Sequence, residues 1–197
     1  MIRTRKSATR AAALTLAVVV GPAATLGSAS TATSAPADGD PTRDGGKNLV
    51  LRPGAIGKAK IGMTIKQAMR TGLFRRTGRC GPLQPKGKLD RQMGTLVRKG
   101  HLRGMKITGR NIRTAKGAGL GTTLKSLRET YGDELSKPRK IKKNPEHLWG
   151  VFLRRDRRYL GFLLGTRPQA AHPKPGHKVV YMEVTRGKSP TLYPDGC

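Results

Sequence analysis

The residues of this chain with the means to do chemistry are few and far apart. It has four histidines, His101, His147, His172 and His177, two cysteines and eleven acidic residues among 197. His172 and His177 bracket HPKPGH, whose other members are Lys, Pro and Gly, so the segment lacks the extra Cys, His or carboxylate ligands that a metal needs. Glu146 adjoins His147, but neighbours in sequence seldom face one another, and no Ser or Cys nucleophile stands close by. Asp90, Glu129, Asp133, Glu134, Glu146, Asp156, Glu183 and Asp195 mostly sit beside Arg or Lys or at a helix end, where charge balance accounts for them. Paired catalytic carboxylates would need a shaped cleft to set them apart. The Gly-rich run Gly117-Ala118-Gly119-Leu120-Gly121 precedes a helix and offers N–H groups to an anion, yet it lacks the Lys-Ser/Thr of a P-loop. The alternating Asp residues of 38–47 hint at a calcium loop, but Leu49 stands where the loop's closing Glu belongs. These residues assign no catalytic residue, no metal ligand set and no cofactor.

The basic residues carry the stronger signal. They gather as Arg75, Arg76 and Arg79; as Lys137, Arg139, Lys140, Lys142 and Lys143; and as Arg154, Arg155, Arg157 and Arg158. The net charge is +29, and removing the four basic residues of the N-terminal leader described next leaves +25 on 160 residues. Solubility of a small domain is served by a magnitude of about 2–8. An excess of this size draws the surface to polyanions, and the three clusters are the candidate contact residues. An anionic polymer or an acidic protein fits such a surface. Nucleic acid fits as a non-specific, phosphate-mediated partner, because aromatics are 4% of the chain and no nucleic-acid-binding motif is present.

The elements that must position these groups begin after an export signal. Arg3, Arg5, Lys6 and Arg10 precede an apolar run from Ala11 to Leu26, and small residues follow up to Ala35-Pro36-Ala37. Basic, apolar and small-residue regions in that order make a secretory signal peptide over residues 1–37, with Ala29 as an earlier cleavage position. The apolar run is interrupted at Gly21-Pro22 and is shorter than a spanning helix requires, so no stable membrane span is expected. Residues 38–48, polar and rich in Gly, are expected to form a flexible leader. The remainder is expected outside the cell, where Cys80 and Cys197 are expected to form a disulfide, the competing reading being a free or intermolecular thiol at Cys197.

Residues 49–197 suit a single domain. Thr64 followed by Gln67 is a capping box, and Ile65, Ala68 and Met69 lie at helical spacing before Gly72, so a helix is predicted over 65–70. The phrase returns 59 residues on: Leu120-Gly121-Thr122-Thr123 leads into Leu124–Tyr131 and closes at Gly132. Short strands are predicted at Met93–Arg98, His101–Thr108, Leu148–Leu153, Tyr159–Leu164 and Lys178–Thr185, with a turn at Arg154–Arg157. The expectation is an α+β domain of two tandem helix-plus-antiparallel-strand repeats, about 49–108 and 109–197, forming one sheet with helices on one face.

The doubled apolar-Gly-(Met/Thr)-Thr-(Ile/Leu) phrase resembles the tandem helix-plus-sheet repeat of β-lactamase-inhibitory proteins and of SmpA-type outer-membrane-assembly lipoproteins. LRPGAIGKAKIGMT, RTAKGAGLGTT and the terminal Cys are closer still to uncharacterised secreted actinobacterial proteins. The resemblance implies a protein that binds other proteins through a concave sheet and catalyses nothing. The inhibitors present acidic and aromatic residues there, whereas this chain is basic. A secreted, basic, non-catalytic binding protein is therefore expected, with a secreted hydrolase of an anionic polymer as the alternative.

Overall fold

A computed structural model of the protein describes residues 49–77, 81–141, 148–165 and 171–193. The chain divides into Met1–Asp38 and Gly39–Cys197, and every described residue belongs to the second unit. The signal peptide, the leader with its calcium hint, and both cysteines lie outside the described residues. Among those described, no helix is long and apolar enough to cross a membrane.

Among the described residues twelve strands and two short α-helices run in the order β1 Val50–Arg52, β2 Ala55–Ile56, β3 Ala59–Lys60, α1 Ile65–Arg70, β4 Phe74–Arg75, β5 Gln84–Pro85, β6 Met93–Arg98, β7 His101–Ile107, β8 Arg113–Thr114, α2 Leu124–Tyr131, β9 Arg139–Lys140, β10 Trp149–Arg155, β11 Arg158–Leu164 and β12 Val179–Arg186. The main sheet is antiparallel with order β6-β7-β12-β11-β10-β9. A small sheet β3-β2-β1-β8 and a ribbon β4-β5 complete the set.

This corrects the expected architecture. The fold is mainly β, in three sheets, and the helices span six and eight residues. It is not a pair of helix-plus-strand repeats forming one sheet. The physical reason is strand length. Most strands of the small sheets are two residues long, too short to display a period of two, so LRPGAIGKAK reads as a connection in sequence. In the fold its backbone groups are paired, as between Leu51 and Ile56 and between Ala55 and Lys60.

Both helix entries form as their residues dictate. Thr64 Oγ1 accepts the N–H of Gln67, whose side-chain oxygen accepts the N–H of Thr64. Gly72 follows at φ 80°. Thr123 caps α2 by accepting the N–H of Ser126, without the reciprocal bond. Each entry also docks on the main sheet in the same way. Gly62 N–H donates to Leu102 O and Leu102 N–H to Met63 O; Gly121 N–H donates to Val179 O and Val179 N–H to Thr122 O. The correspondence stops there. α1 leads into the β4-β5 ribbon, which the segment after α2 lacks.

One face of the main sheet carries the larger core. Leu153, Leu160, Val184 and Met105 form one cross-strand row, and Val151, Phe162, Met182 and Ile107 the next. All are buried, packed with Leu51 and Ile56 of the small sheet and Leu124 and Leu127 of α2. On the other face Phe152, Leu163 and Tyr181 cluster with Ile141, Leu148 and Leu192. Leu192 reaches this face because it meets glycine. An added Cβ at Gly150 would stand 2.5 Å from its Cδ1, and one at Gly161 2.9 Å from its Cδ2. Residues 188–193 thus form a strap across β10, β11 and β12.

Candidate functional site

The β10-β11 hairpin turns through Asp156 and Arg157, both with left-handed φ, 48° and 59°. Positive φ at both central positions is the type I′ geometry that matches strand twist, and it places the flanking residues in register. Arg155 faces Arg158, and Arg158 faces Arg186 on β12. Directly opposed residues of antiparallel strands share a face. Three arginines therefore form one row across three strands, continuing the face whose next row inward is Leu153, Leu160 and Val184. The neighbouring residues Arg154, Tyr159 and Thr185 form a row on the opposite face. There the Arg154 guanidinium lies 5.8 Å from the Tyr159 ring centroid.

The arginine row opens into a cleft of about 1080 Å³ between the hairpin, the small sheet, the residues from the end of β8 to Lys116, and Tyr131 and Glu134. Its apolar floor includes Leu51, Ile61, Leu153 and Leu160; Arg52, Lys60 and Lys116 add basic groups, and Glu134 and Asp156 are its acids. Lys116 is engaged: its Nζ lies 3.7 Å from Glu134, donates to Thr130 O and sits 5.0 Å from the Tyr131 ring centroid. Among the described residues Arg52, Lys60, Arg155, Arg158 and Arg186 have no carboxylate at ion-pair distance. Tyr131 lines the cleft with its hydroxyl donating to Thr114 Oγ1 at 2.6 Å. Burial raises its pKa and Glu134 adds to that, while the bond to Thr114 opposes them. The phenol keeps its proton, as the donation requires.

Two glycines of the small-sheet region hold the row. Gly54, at φ 77°, is so close to Arg158 that an added Cβ would lie 2.7 Å from Cδ and 2.8 Å from Cβ and Cγ. Those are atoms of the stem, which cannot swing away as the head can. Gly62, at φ 102°, approaches Nη1 of Arg186, 3.2 Å from an added Cβ.

Of the residues singled out in sequence, Arg155 and Arg158 belong to the row, and Arg154 borders the cleft although its guanidinium lies beside Tyr159 on the opposite face. Arg157 is exposed at the hairpin tip. Arg75 and Arg76 are exposed at the ribbon, where Arg75 donates to Gln84 at 3.4 Å. Lys137, Arg139 and Lys140 are exposed, the last two on edge strand β9. Arg139 lies 4.0 Å over the Phe152 ring, and β9 pairs with Trp149 and Gly150, at the end of β10 remote from the hairpin. Charge on an edge strand blocks edge-to-edge pairing, which accounts for this pair without a ligand. Arg79, Lys142, Lys143, Cys80 and Cys197 lie outside the described residues. Arg52, Lys60 and Arg186 escaped the sequence reading because none lies in a dense run of basic residues. The pairing of β12 with β11 is what could have found Arg186.

Of the other chemical candidates, Glu146, His147 and Asp195 lie outside the described residues, and the described histidines and Asp90 have local partners. His101 Nδ1 lies 2.8 Å from Lys99 O, His177 Nδ1 accepts the N–H of Lys174, and the His172 ring lies 5.5 Å from that of Trp149. Asp90 accepts both bonds from Gln84 Nε2. The Gly-rich run offers no cradle: Gly117, Ala118, Gly119 and Gly121 each donate their N–H to Thr114 O, Thr114 Oγ1, Thr122 Oγ1 and Val179 O respectively. Among the described residues no three His, Cys, Asp or Glu gather at metal-binding distance.

No family model and no curated protein matches the chain. Among solved structures it is similar to the uncharacterized protein YfeY from Escherichia coli, with 14% identity over 70% of this chain and 99% of that one and a TM-score of 0.47.

Proposed function

We propose that the protein is a secreted, non-catalytic binding protein that engages an anionic polymer or acidic protein outside the cell, and that the cleft beneath the β10-β11 hairpin is where it does so. The observation that carries this reading is the set of cleft bases, Arg52, Lys60, Arg155, Arg158 and Arg186, with no carboxylate at ion-pair distance among the described residues. An unneutralised cluster in a concave site focuses its field on an incoming polyanion. The excess of +25 and the export signal expected from the N-terminal residues point the same way. Base stacking draws no support from the cleft, since Lys116 covers the Tyr131 ring. Hydrolysis draws none either: of the cleft acids, Glu134 pairs with Lys116 and Asp156 sits in a turn.

The test is retention on a phosphocellulose column against salt. Arg155→Glu with Arg158→Glu should lower the eluting salt concentration more than Arg139→Glu with Lys140→Glu, although both change the net charge equally. Equal losses would mean that charge alone, and not the cleft, governs binding.

A further inference from the structure

Three arginines in one cross-strand row are an unfavourable arrangement for a fold to keep. Like charges directly opposite one another destabilise a sheet, and neighbouring strands lie about 4.8 Å apart. Arg155, Arg158 and Arg186 occupy such a row on β10, β11 and β12. All three are exposed, and none has a carboxylate at ion-pair distance among the described residues. The repulsion is not relieved by splaying to opposite faces, because all three share the core-side face. The stem of Arg158 is also pressed against Gly54, and Nη1 of Arg186 approaches Gly62. Strand register thus sets three arginines side by side on one face.

The surroundings favour an anion bound between them. The row lies next to Leu153, Leu160 and Val184, which are 5%, 0% and 0% exposed. Guanidinium groups present planar forks that match phosphate oxygens two at a time, which an ammonium cannot do. The row is built wholly from arginine. A single phosphate group set over Arg158 can be shared with Arg155 on one side and Arg186 on the other, turning two repulsions into two bridged attractions.

We infer that the Arg155–Arg158–Arg186 row is a phosphate site, taking a phosphate monoester or diester group as its ligand and coupling that ligand to the stability of the main sheet. The inference rests on the proposed anion-binding role of the cleft and names its ligand chemistry. An anion that binds only the folded chain stabilises it by mass action.

Thermal unfolding of the full secreted chain tests this with inorganic phosphate and dimethyl phosphate, against acetate at equal ionic strength. Phosphate at ten times its dissociation constant should raise the midpoint by about 3–6 °C for a chain of this size, with saturation, and dimethyl phosphate should do so too if diesters are accepted. The double variant Arg158→Gln, Arg186→Gln should melt higher than the wild type in acetate, the repulsion being gone, and should lose the saturable shift. Phosphate also stabilises proteins generally by exclusion from their surface, so the difference between wild type and variant is the readout. Equal shifts in both proteins would overturn the inference, as would a variant less stable than wild type in acetate. Isothermal titration of both proteins with phosphate gives an independent check, with heat of binding expected from the wild type alone. Retention on phosphocellulose is a separate result: its loss in the cleft variants without any phosphate shift would sink the site and leave the binding role standing, and the reverse outcome would do the opposite.

Discussion

Arg157 holds φ 59° at the second central position of a type I′ turn, the position where glycine is most often found. A left-handed non-glycine residue costs about 1–2 kcal/mol, part of which glycine returns through its freer unfolded state. Arg157→Gly should therefore stabilise the protein by up to about 1 kcal/mol, measured by urea unfolding, while removing one charge from the hairpin tip. A destabilised variant would mean that the arginine side chain itself holds the turn. At this scale the sequence was informative about type and silent about place. Arg154, Arg155, Arg157 and Arg158 read as one cluster, and the structure divides them among two faces and a tip. Strand pairing makes that division, and register cannot be read from one strand alone.

Among the elements, the 188–193 strap depends on a buried carboxylate. Glu183 is 3% exposed, and its Oε2 accepts the Leu192 N–H at 2.6 Å and the Thr191 hydroxyl at 3.3 Å. Burial raises its pKa above the ordinary 4.5, outweighing those bonds and the attraction of Lys106, which faces it on β7. The folded chain then holds the proton more tightly than the unfolded one. From about pH 4.5 upward the folded state binds more protons, so stability falls as pH rises through the window to the raised folded value. Glu183→Gln keeps an oxygen for Leu192 and removes the titration. Its melting temperature should exceed that of wild type by a margin that widens as the pH rises above 4.5, and a margin independent of pH would show that Glu183 does not titrate in this way. In sequence Glu183 looked like an ordinary polar position in an alternating strand. The strap that buries it arrives from 188–193, which carries no strand pattern. Helix entries were legible because capping is local chemistry; the small sheets were not, because strands of two residues have no period.

For the molecule as a whole, net charge sets how binding responds to salt. Each phosphate contact releases counterions, with a slope of about −0.7 per contact on a flexible single strand. Three contacts on the arginine row then predict a loss of about 20-fold in affinity for a polyphosphate between roughly 50 and 200 mM salt. Arg155→Gln should make that dependence shallower by about one contact. A slope unchanged by the substitution would place the polymer elsewhere on the surface.

Composition and local pattern alone determined the basic excess, the two capped helix starts and the long strands of the main sheet. These follow from which residues are present and from neighbours within four positions. Tertiary structure alone decided the mainly β architecture, the burial of Glu183 and the recruitment of Arg186, Arg52 and Lys60 to one cleft. Those depend on which strands pair and in what register, and pairing is settled by core rows such as Leu153, Leu160, Val184 and Met105, drawn from positions up to 79 residues apart.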